Sequence, residues 1–163
     1  MKRIIFLLTL GLVFASCEKK NSTTEELQPE QTTTEFRVAG EMTIQIGPNP
    51  YVAHDTMVVK VDEKEQVMTI EMQQIKFSDR MPGLDIYADN MPYMNNNNTL
   101  LVEQDTVVLT FGPERRPYTD CPLANFRDTL DLNNRQMRFN CTFAHKDKEM
   151  GDMPARFVGK FIK

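Results

Sequence analysis

The side chains that could act as nucleophiles or general bases are few and poorly placed to work together. The two histidines, His54 and His145, each lie near a predicted strand end. Ser22 falls in a polar segment and Ser78 in a loop, and neither has the Gly-x-Ser-x-Gly surroundings that expose a hydrolase serine. A Ser-His-Asp triad is therefore not expected.

A cysteine-histidine pair and a metal site are equally poor candidates. Cys141 and His145 lie four residues apart, about 13 Å along one strand. No His, Cys or Asp group has the spacing of a zinc site or of a calcium loop. The carboxylates of Asp79, Asp85 and Asp89 fit solvated positions. We predict a protein that is not an enzyme and that uses no metal or other cofactor.

The first seventeen residues have the composition of a secretory signal. Two basic residues precede the apolar run 4–14. Two small residues, Ala15 and Ser16, follow this run and are followed by Cys17. The apolar run is too short to cross a bilayer as a helix. This pattern is typical of bacterial lipoproteins, although an ordinary secretory signal is an alternative. We predict a signal peptide over residues 1–16 and a lipid on Cys17 that holds the protein on a membrane of the cell envelope, the outer membrane being favoured.

Residues 17–35 are predicted to be a lipidated, flexible linker. The segment is polar and contains one large apolar residue, Leu27, so it cannot bury enough surface to become ordered. Without Lys2 and Arg3 the chain keeps 17 of its 19 basic side chains against 23 acidic ones. This acidic balance argues against nucleic acid as a partner.

From Phe36 onward the sequence alternates apolar and polar residues as half-buried strands do. Alternating or β-branched runs cover residues 42–46, 56–61, 67–77, 84–88, 100–111, 126–132, 135–143 and 155–162. The alternation changes parity after Met72, which indicates a β-bulge near Gln73-Gln74. About eight strands joined by short turns are compatible with a barrel or a sandwich. The barrel is favoured because closure removes exposed strand edges. We predict an all-β domain over residues 36–163, an eight-stranded antiparallel up-and-down β-barrel.

Residues 126–143 give the strongest local signal, two alternating runs on either side of Asn133-Asn134. Asn tolerates the positive φ of a two-residue turn, so the segment is predicted to form a tight hairpin. This register places Leu130 opposite Met137 and puts Asp128 on an otherwise apolar face.

The same register bears on a disulfide between Cys121 and Cys141, which export would permit. Phe126 would face Cys141, so Cys121 would lie about 16 Å further along the strand, whereas bonded cysteines have Cα atoms within about 7 Å. Pro122 could fold the chain back and bring the thiols together. The sequence is compatible with both alternatives, a disulfide and two buried free thiols.

Three segments in combination resemble a known family. They are "MTIEMQQIKFSDRMPGLDIYADNM" at 68–91, the Thr/Val-rich strand 105–110 and "FRDTLDLNNRQMRFNCTF" at 126–143. Together they are similar to the calycin-like lipoproteins of Bacteroidota, and the resemblance covers about residues 36–162. It implies a lipocalin-type barrel behind a lipid-bearing cysteine.

Three Asp-Thr-apolar triplets are similar to the short O-glycosylation motif of exported proteins in that phylum. They would carry a glycan on Thr56, Thr106 and Thr129. A strand that happens to contain Asp-Thr is the alternative interpretation.

The methionine content suggests an adaptable apolar binding surface. The residues expected to line it are Met68, Ile70, Met72, Met81, Tyr87, Met91 and Tyr93. We expect non-catalytic binding of a small apolar or amphipathic ligand. The alternative is a protein-interaction or inhibitor module that acts through the barrel exterior or the loops.

Overall fold

The computed structural model describes residues 33–147 and 151–163, and the regular structure in these ranges is entirely β-strand. The strands are β1 (Thr33–Ile46), β2 (Asn49–Asp62), β3 (Val67–Ile75), β4 (Leu84–Pro92), β5 (Met94–Asn96), β6 (Thr99–Phe111), β7 (Arg116–Asp131), β8 (Gln136–Ala144) and β9 (Asp152–Ile162). Within these ranges no helix has the length and apolar character needed to cross a membrane. The predicted signal peptide and Cys17 lie outside the described residues.

Eight of these strands close into an antiparallel barrel. Each pairs with its neighbours in sequence, β4 pairs with β6, and β9 returns to pair with β1 over eight residues of each strand. The short β5 adds a hairpin to the start of β6. The predicted eight-stranded up-and-down barrel is confirmed. Its first strand begins at Thr33, which pairs with Asp62 and lies in the segment predicted to be linker.

The middle of the barrel is a packed core. Inward side chains alternate with outward ones along the strands, and the largest of them are less than 2 % exposed. Three aromatic rings form a row across the core, with Phe139 lying 5.5 Å from Phe126 and 5.4 Å from Phe157 between ring centroids. Side chains fill the middle of the barrel, so space for a ligand is expected at its ends.

Register shifts in three of the strand pairs bend the strands. The predicted bulge near Gln73-Gln74 is confirmed, because the β3–β4 register shifts between Met72 and Ile75 and Gln74 has a φ of 54°. Three further shifts were not predicted. They lie between Met68 and Ile70 in β3, between Val107 and Leu109 in β6, and between Ala124 and Arg127 in β7. Such bulges locally increase the twist of a strand.

The β7–β8 hairpin confirms one prediction and corrects another. Leu130 pairs with Met137 as predicted. The turn contains four residues, 132–135, and the positive φ falls on Arg135 rather than on an asparagine. The physical reason is the Asp131 carboxylate, which accepts a 2.9 Å hydrogen bond from the Asn134 amide and so fixes a longer turn.

Candidate functional site

One end of the barrel forms an open cavity of about 420 Å³, which we name the apolar cup. It lies where β3, β6 and β8 end and where β4, β7 and β9 begin. Its lining residues are Phe77, Met81, Leu84, Leu109, Phe111, Tyr118, Cys121, Phe143, His145 and Met153. Small-molecule sites in proteins usually measure about 300–1,000 Å³ and are mostly apolar, so the cup has a suitable size and lining.

Two aromatic pairs fix the walls of the cup. The rings of Phe77 and Phe143 lie 4.9 Å apart at 84°, and those of Phe111 and Tyr118 lie 5.0 Å apart at 66°. These edge-to-face arrangements are favourable for aromatic rings and hold them in defined positions. The cup therefore presents a preformed apolar surface.

Few polar groups reach the cup. The His145 Nδ1 atom accepts a 3.0 Å hydrogen bond from the Asp147 amide, so a neutral imidazole carries its proton on Nε2. Burial, with a smaller contribution from the Asp152 charge, raises the pKa of the Cys121 thiol. A protonated thiol is a weak nucleophile, so burial lowers the reactivity of Cys121.

Cys121 and Cys141 are both buried free thiols in the structure. Leu123 pairs with Phe143, which places the two cysteines on opposite sides of that pair, four residues apart along the antiparallel ladder. Burial, followed by the neighbouring Cys121, raises the pKa of Cys141 to about 12. The disulfide between them stays a prediction.

The residues predicted to line a ligand site are separated by the fold. Met81 lines the apolar cup. Tyr87 lies on the outer surface beneath Arg115, and Tyr93 lines a cavity at the opposite end of the barrel. The remaining predicted residues, Met68, Ile70, Met72 and Met91, are at most 3 % exposed in the packed core.

Sequence reasoning missed most of the cup. Phe77, Leu84, Phe111, Phe143 and Met153 come from the ends of different strands, and no single segment shows them as a group. The available signal was their position, since each is an apolar residue at or just beyond a strand end. Only the closed barrel brings those ends to one place.

The remaining sequence candidates do not join the apolar cup. His54 is exposed on β2, and within the described ranges no group of three or more His, Cys, Asp or Glu could hold a metal ion. Thr56 and Thr106 are exposed and Thr129 is half-buried, on three different strands. Their glycosylation stays a prediction.

A cluster of charges, here called the Arg115 latch, crosses the outside of the barrel near the cup. The guanidinium of Arg115 forms ion pairs with Asp89 and, at 2.6 Å, with Glu71, and it lies 4.1 Å from the centre of the Tyr87 ring. Lys60 binds the same Glu71 at 2.7 Å. Burial raises the pKa of Glu71, but the bonds from Lys60 and Arg115 outweigh it and leave that pKa below its usual value.

The latch reinforces the weakest seam of the barrel. In the part of the chain that the structure describes, β4 and β6 share two ladder pairs, Ile86–Phe111 and Tyr87–Thr110. The Thr110 hydroxyl also donates a 2.7 Å hydrogen bond to Asp89 of the latch. Phe111 belongs to one of these two ladder pairs and also lines the cup, so the latch helps to keep this wall of the cup in place.

Removing the latch arginine is expected to lower the free energy of unfolding. The Arg115→Ala substitution takes one ion-pair partner from the mostly buried Glu71, and we expect a loss of about 2 kcal/mol. Arg116→Ala is the matched control, since Arg116 pairs with Glu114 in solvent, and it should cost less than about 0.5 kcal/mol. Urea denaturation of both variants measures the difference, and equal losses would contradict the role of the latch.

The fold and the cup together define an eight-stranded antiparallel β-barrel with an open apolar site at one end. No protein-family model and no curated protein matches the sequence. Among solved structures, the chain is similar to the isotype 1 transferrin binding protein B from serogroup B Neisseria meningitidis, with 13 % identity and a TM-score of 0.45. That similarity covers 85 % of this chain and 27 % of the neisserial protein, so the chain spans about a quarter of that protein's length.

Proposed function

We propose that the protein is an exported lipoprotein whose barrel binds a small apolar or amphipathic ligand in the apolar cup without chemically changing it. The observation that carries this proposal is the preformed cavity of about 420 Å³ lined by aromatic, methionine and leucine side chains. When an apolar group displaces water from a surface of this kind, the free energy falls, which favours binding. The open mouth leaves a polar part of the ligand in solvent.

The proposed anchor is the lipid on Cys17, in the outer membrane of the cell envelope. The described chain enters the barrel at Thr33, and Thr34 lines the end opposite the apolar cup. Sixteen residues, 17–32, precede it and can span up to about 55 Å when extended. The linker therefore joins one end of the barrel, and the apolar cup lies at the other end.

A charged side chain at the mouth of the cup is expected to weaken ligand binding. Met81 is 38 % exposed, so Met81→Lys should fold while it places an ammonium group at an apolar surface. Binding of the fluorescent apolar probe N-phenyl-1-naphthylamine should weaken by about tenfold or more, equivalent to about 1.4 kcal/mol.

The matched control is Met94→Lys, because Met94 is 58 % exposed and lies near the opposite end of the barrel. This control should bind the probe as the unchanged protein does. Equal affinity of all three proteins would contradict the proposal, and so would a comparable loss in the Met94→Lys control.

The alternative function is a protein-interaction or inhibitor module. The exposed side chains of Met81 and Tyr118 at the cup favour it, since exposed apolar groups that lie together commonly mark interfaces. Saturable binding of the small probe that Met81→Lys weakens favours the ligand-binding function. Absence of probe binding to the folded protein favours the interaction module.

A further inference from the structure

The barrel has a second cavity, at the end opposite the apolar cup, with a volume of about 370 Å³. We name it the polar cup. Its lining residues are Thr34, Phe36, Val61, Glu63, Gln66, Tyr93, Asn95, Asn98, Leu100 and Leu132. No basic side chain is among these lining residues, which disfavours phosphate and carboxylate ligands.

The floor of the polar cup is apolar and well packed. Val61 and Leu100 are at most 3 % exposed, and the Phe36 ring packs against Phe161 with 5.0 Å between centroids. The rings of Phe36 and Tyr93 both line the cavity. A ligand in this cup would therefore meet C–H and aromatic surface below and polar groups around the rim.

The rim is held by hydrogen bonds between neighbouring loops. The Tyr93 amide donates to the Gln66 carbonyl at 3.2 Å, and the Leu132 amide donates to the Asn98 carbonyl at 3.0 Å. Within the 95–98 turn, the Asn98 amide donates to the Asn95 side chain at 3.1 Å. These bonds fix the positions of the rim before a ligand arrives, which lowers the entropy cost of binding.

Several polar groups of the rim are still available. In the described residues, the Glu63 carboxylate, the Gln66 amide and the Tyr93 hydroxyl have no hydrogen-bond partner. Burial, with the Glu63 and Asp62 charges, raises the pKa of Tyr93, so its hydroxyl keeps its proton and can donate. The rim thus offers an acceptor, the Glu63 carboxylate, and two groups that both donate and accept, the Gln66 amide and the Tyr93 hydroxyl.

We propose that the polar cup binds one or two rings of a neutral sugar. A sugar ring carries hydroxyl groups that both donate and accept, which match the carboxylate, amide and phenol of the rim. It also carries C–H faces, which match Phe36 and Tyr93. This site is separate from the apolar cup and does not depend on the function proposed for it.

The test uses glucose, galactose, mannose, N-acetylglucosamine and lactose as probes of the whole protein, with saturation-transfer NMR to detect binding and titration to give Kd. At least one probe should bind with a Kd of about 1 mM or tighter. Gln66→Gly removes the side-chain amide while glycine accepts the φ of 54° at this position, so the variant should fold. We expect it to weaken binding by about tenfold or more, and Glu63→Ala to weaken it as well.

The matched control is Gln74→Gly, since Gln74 has the same φ of 54° but lies toward the other end of β3. This control and Met81→Lys should both bind the sugar as the unchanged protein does. Absence of binding by all five probes at about 10 mM would overturn the proposal. Equal binding by Gln66→Gly and the unchanged protein would overturn it too, as would a loss shared with Gln74→Gly.

Discussion

Replacing Asp128 by asparagine is expected to stabilise the protein, by an amount that increases with pH. Asp128 is 3 % exposed on β7 and pairs with Val102 and Phe139 in the neighbouring strands. Neither carboxylate oxygen has a hydrogen-bond partner in the described part of the chain. Burial raises the pKa of Asp128 to about 8, and a smaller, opposing contribution from the nearby Thr129 backbone amide does not cancel this increase.

The sign of the pH dependence follows from the two states of Asp128. Below about pH 4 the carboxyl group is protonated in both the folded and the unfolded protein, and it contributes no pH dependence. Between about pH 4 and 8 the unfolded state loses this proton while the folded state keeps it, so the free energy of unfolding falls as pH rises. Above about pH 8 both states are ionised and the loss is complete, at about 5 kcal/mol.

Urea denaturation at several pH values tests this prediction. The stability of Asp128→Asn relative to the unchanged protein should rise by about 5 kcal/mol between about pH 4 and 9, because the amide does not ionise. Asp131→Asn is the control, since the side chain and backbone amide of Asn134 lower the pKa of Asp131. That control should lose relative stability as pH rises. If the stability of Asp128→Asn relative to the unchanged protein stays constant with pH, the pKa of Asp128 is not raised in the folded state.

Adding a single methyl group at Gly40 is expected to cause a large loss of stability. Gly40 of β1 pairs with Gly159 of β9, and the Phe157 ring packs over both. A Cβ atom at Gly40 would collide with the Val158 carbonyl oxygen and lie 2.8 Å from the tip of the Phe157 ring. Because backbone and a fully buried aromatic ring would both have to move, Gly40→Ala should cost about 3 kcal/mol or more.

Gly47→Ala provides the comparison for this prediction. Gly47 has a φ of +61°, and a Cβ atom there would meet nothing within 4 Å. The only cost of Gly47→Ala is therefore that alanine disfavours a positive φ. We expect a cost of about 1 kcal/mol, measured by urea or thermal denaturation. A Gly40→Ala protein as stable as Gly47→Ala would mean that β1 and β9 have room at the Phe157 ring that the structure does not show.

The strand pattern could be predicted from the sequence because one residue in two faces a packed core. Met42 and Ile44 are fully buried, as their alternation with polar residues predicted. The same alternation places Tyr87 outside, since Ile86 and Ala88 on either side of it are buried. The expectation that Tyr87 lines a ligand site relied on residue type instead of this parity.

Other features depend on contacts that no short segment reveals. The turn after β7 is set by the Asp131 side chain, so a rule based on Asn133-Asn134 gave a turn two residues too short. The apolar cup and the Arg115 latch join residues far apart in sequence, as in the ion pair between Arg115 and Glu71. Side chains at strand ends become neighbours only after the barrel closes.

Methyl NMR of the methionines distinguishes a ligand in the apolar cup from a ligand in the interior of the barrel. The 11 methionines include Met81 and Met153 in the cup, Met94 near the opposite end, and Met42 and Met68 in the core. Titration with N-phenyl-1-naphthylamine should shift the methyl signals of Met81 and Met153 and leave that of Met94 unchanged. If the largest shifts fall on Met42 and Met68, the ligand binds in the barrel interior and the apolar cup is not its site.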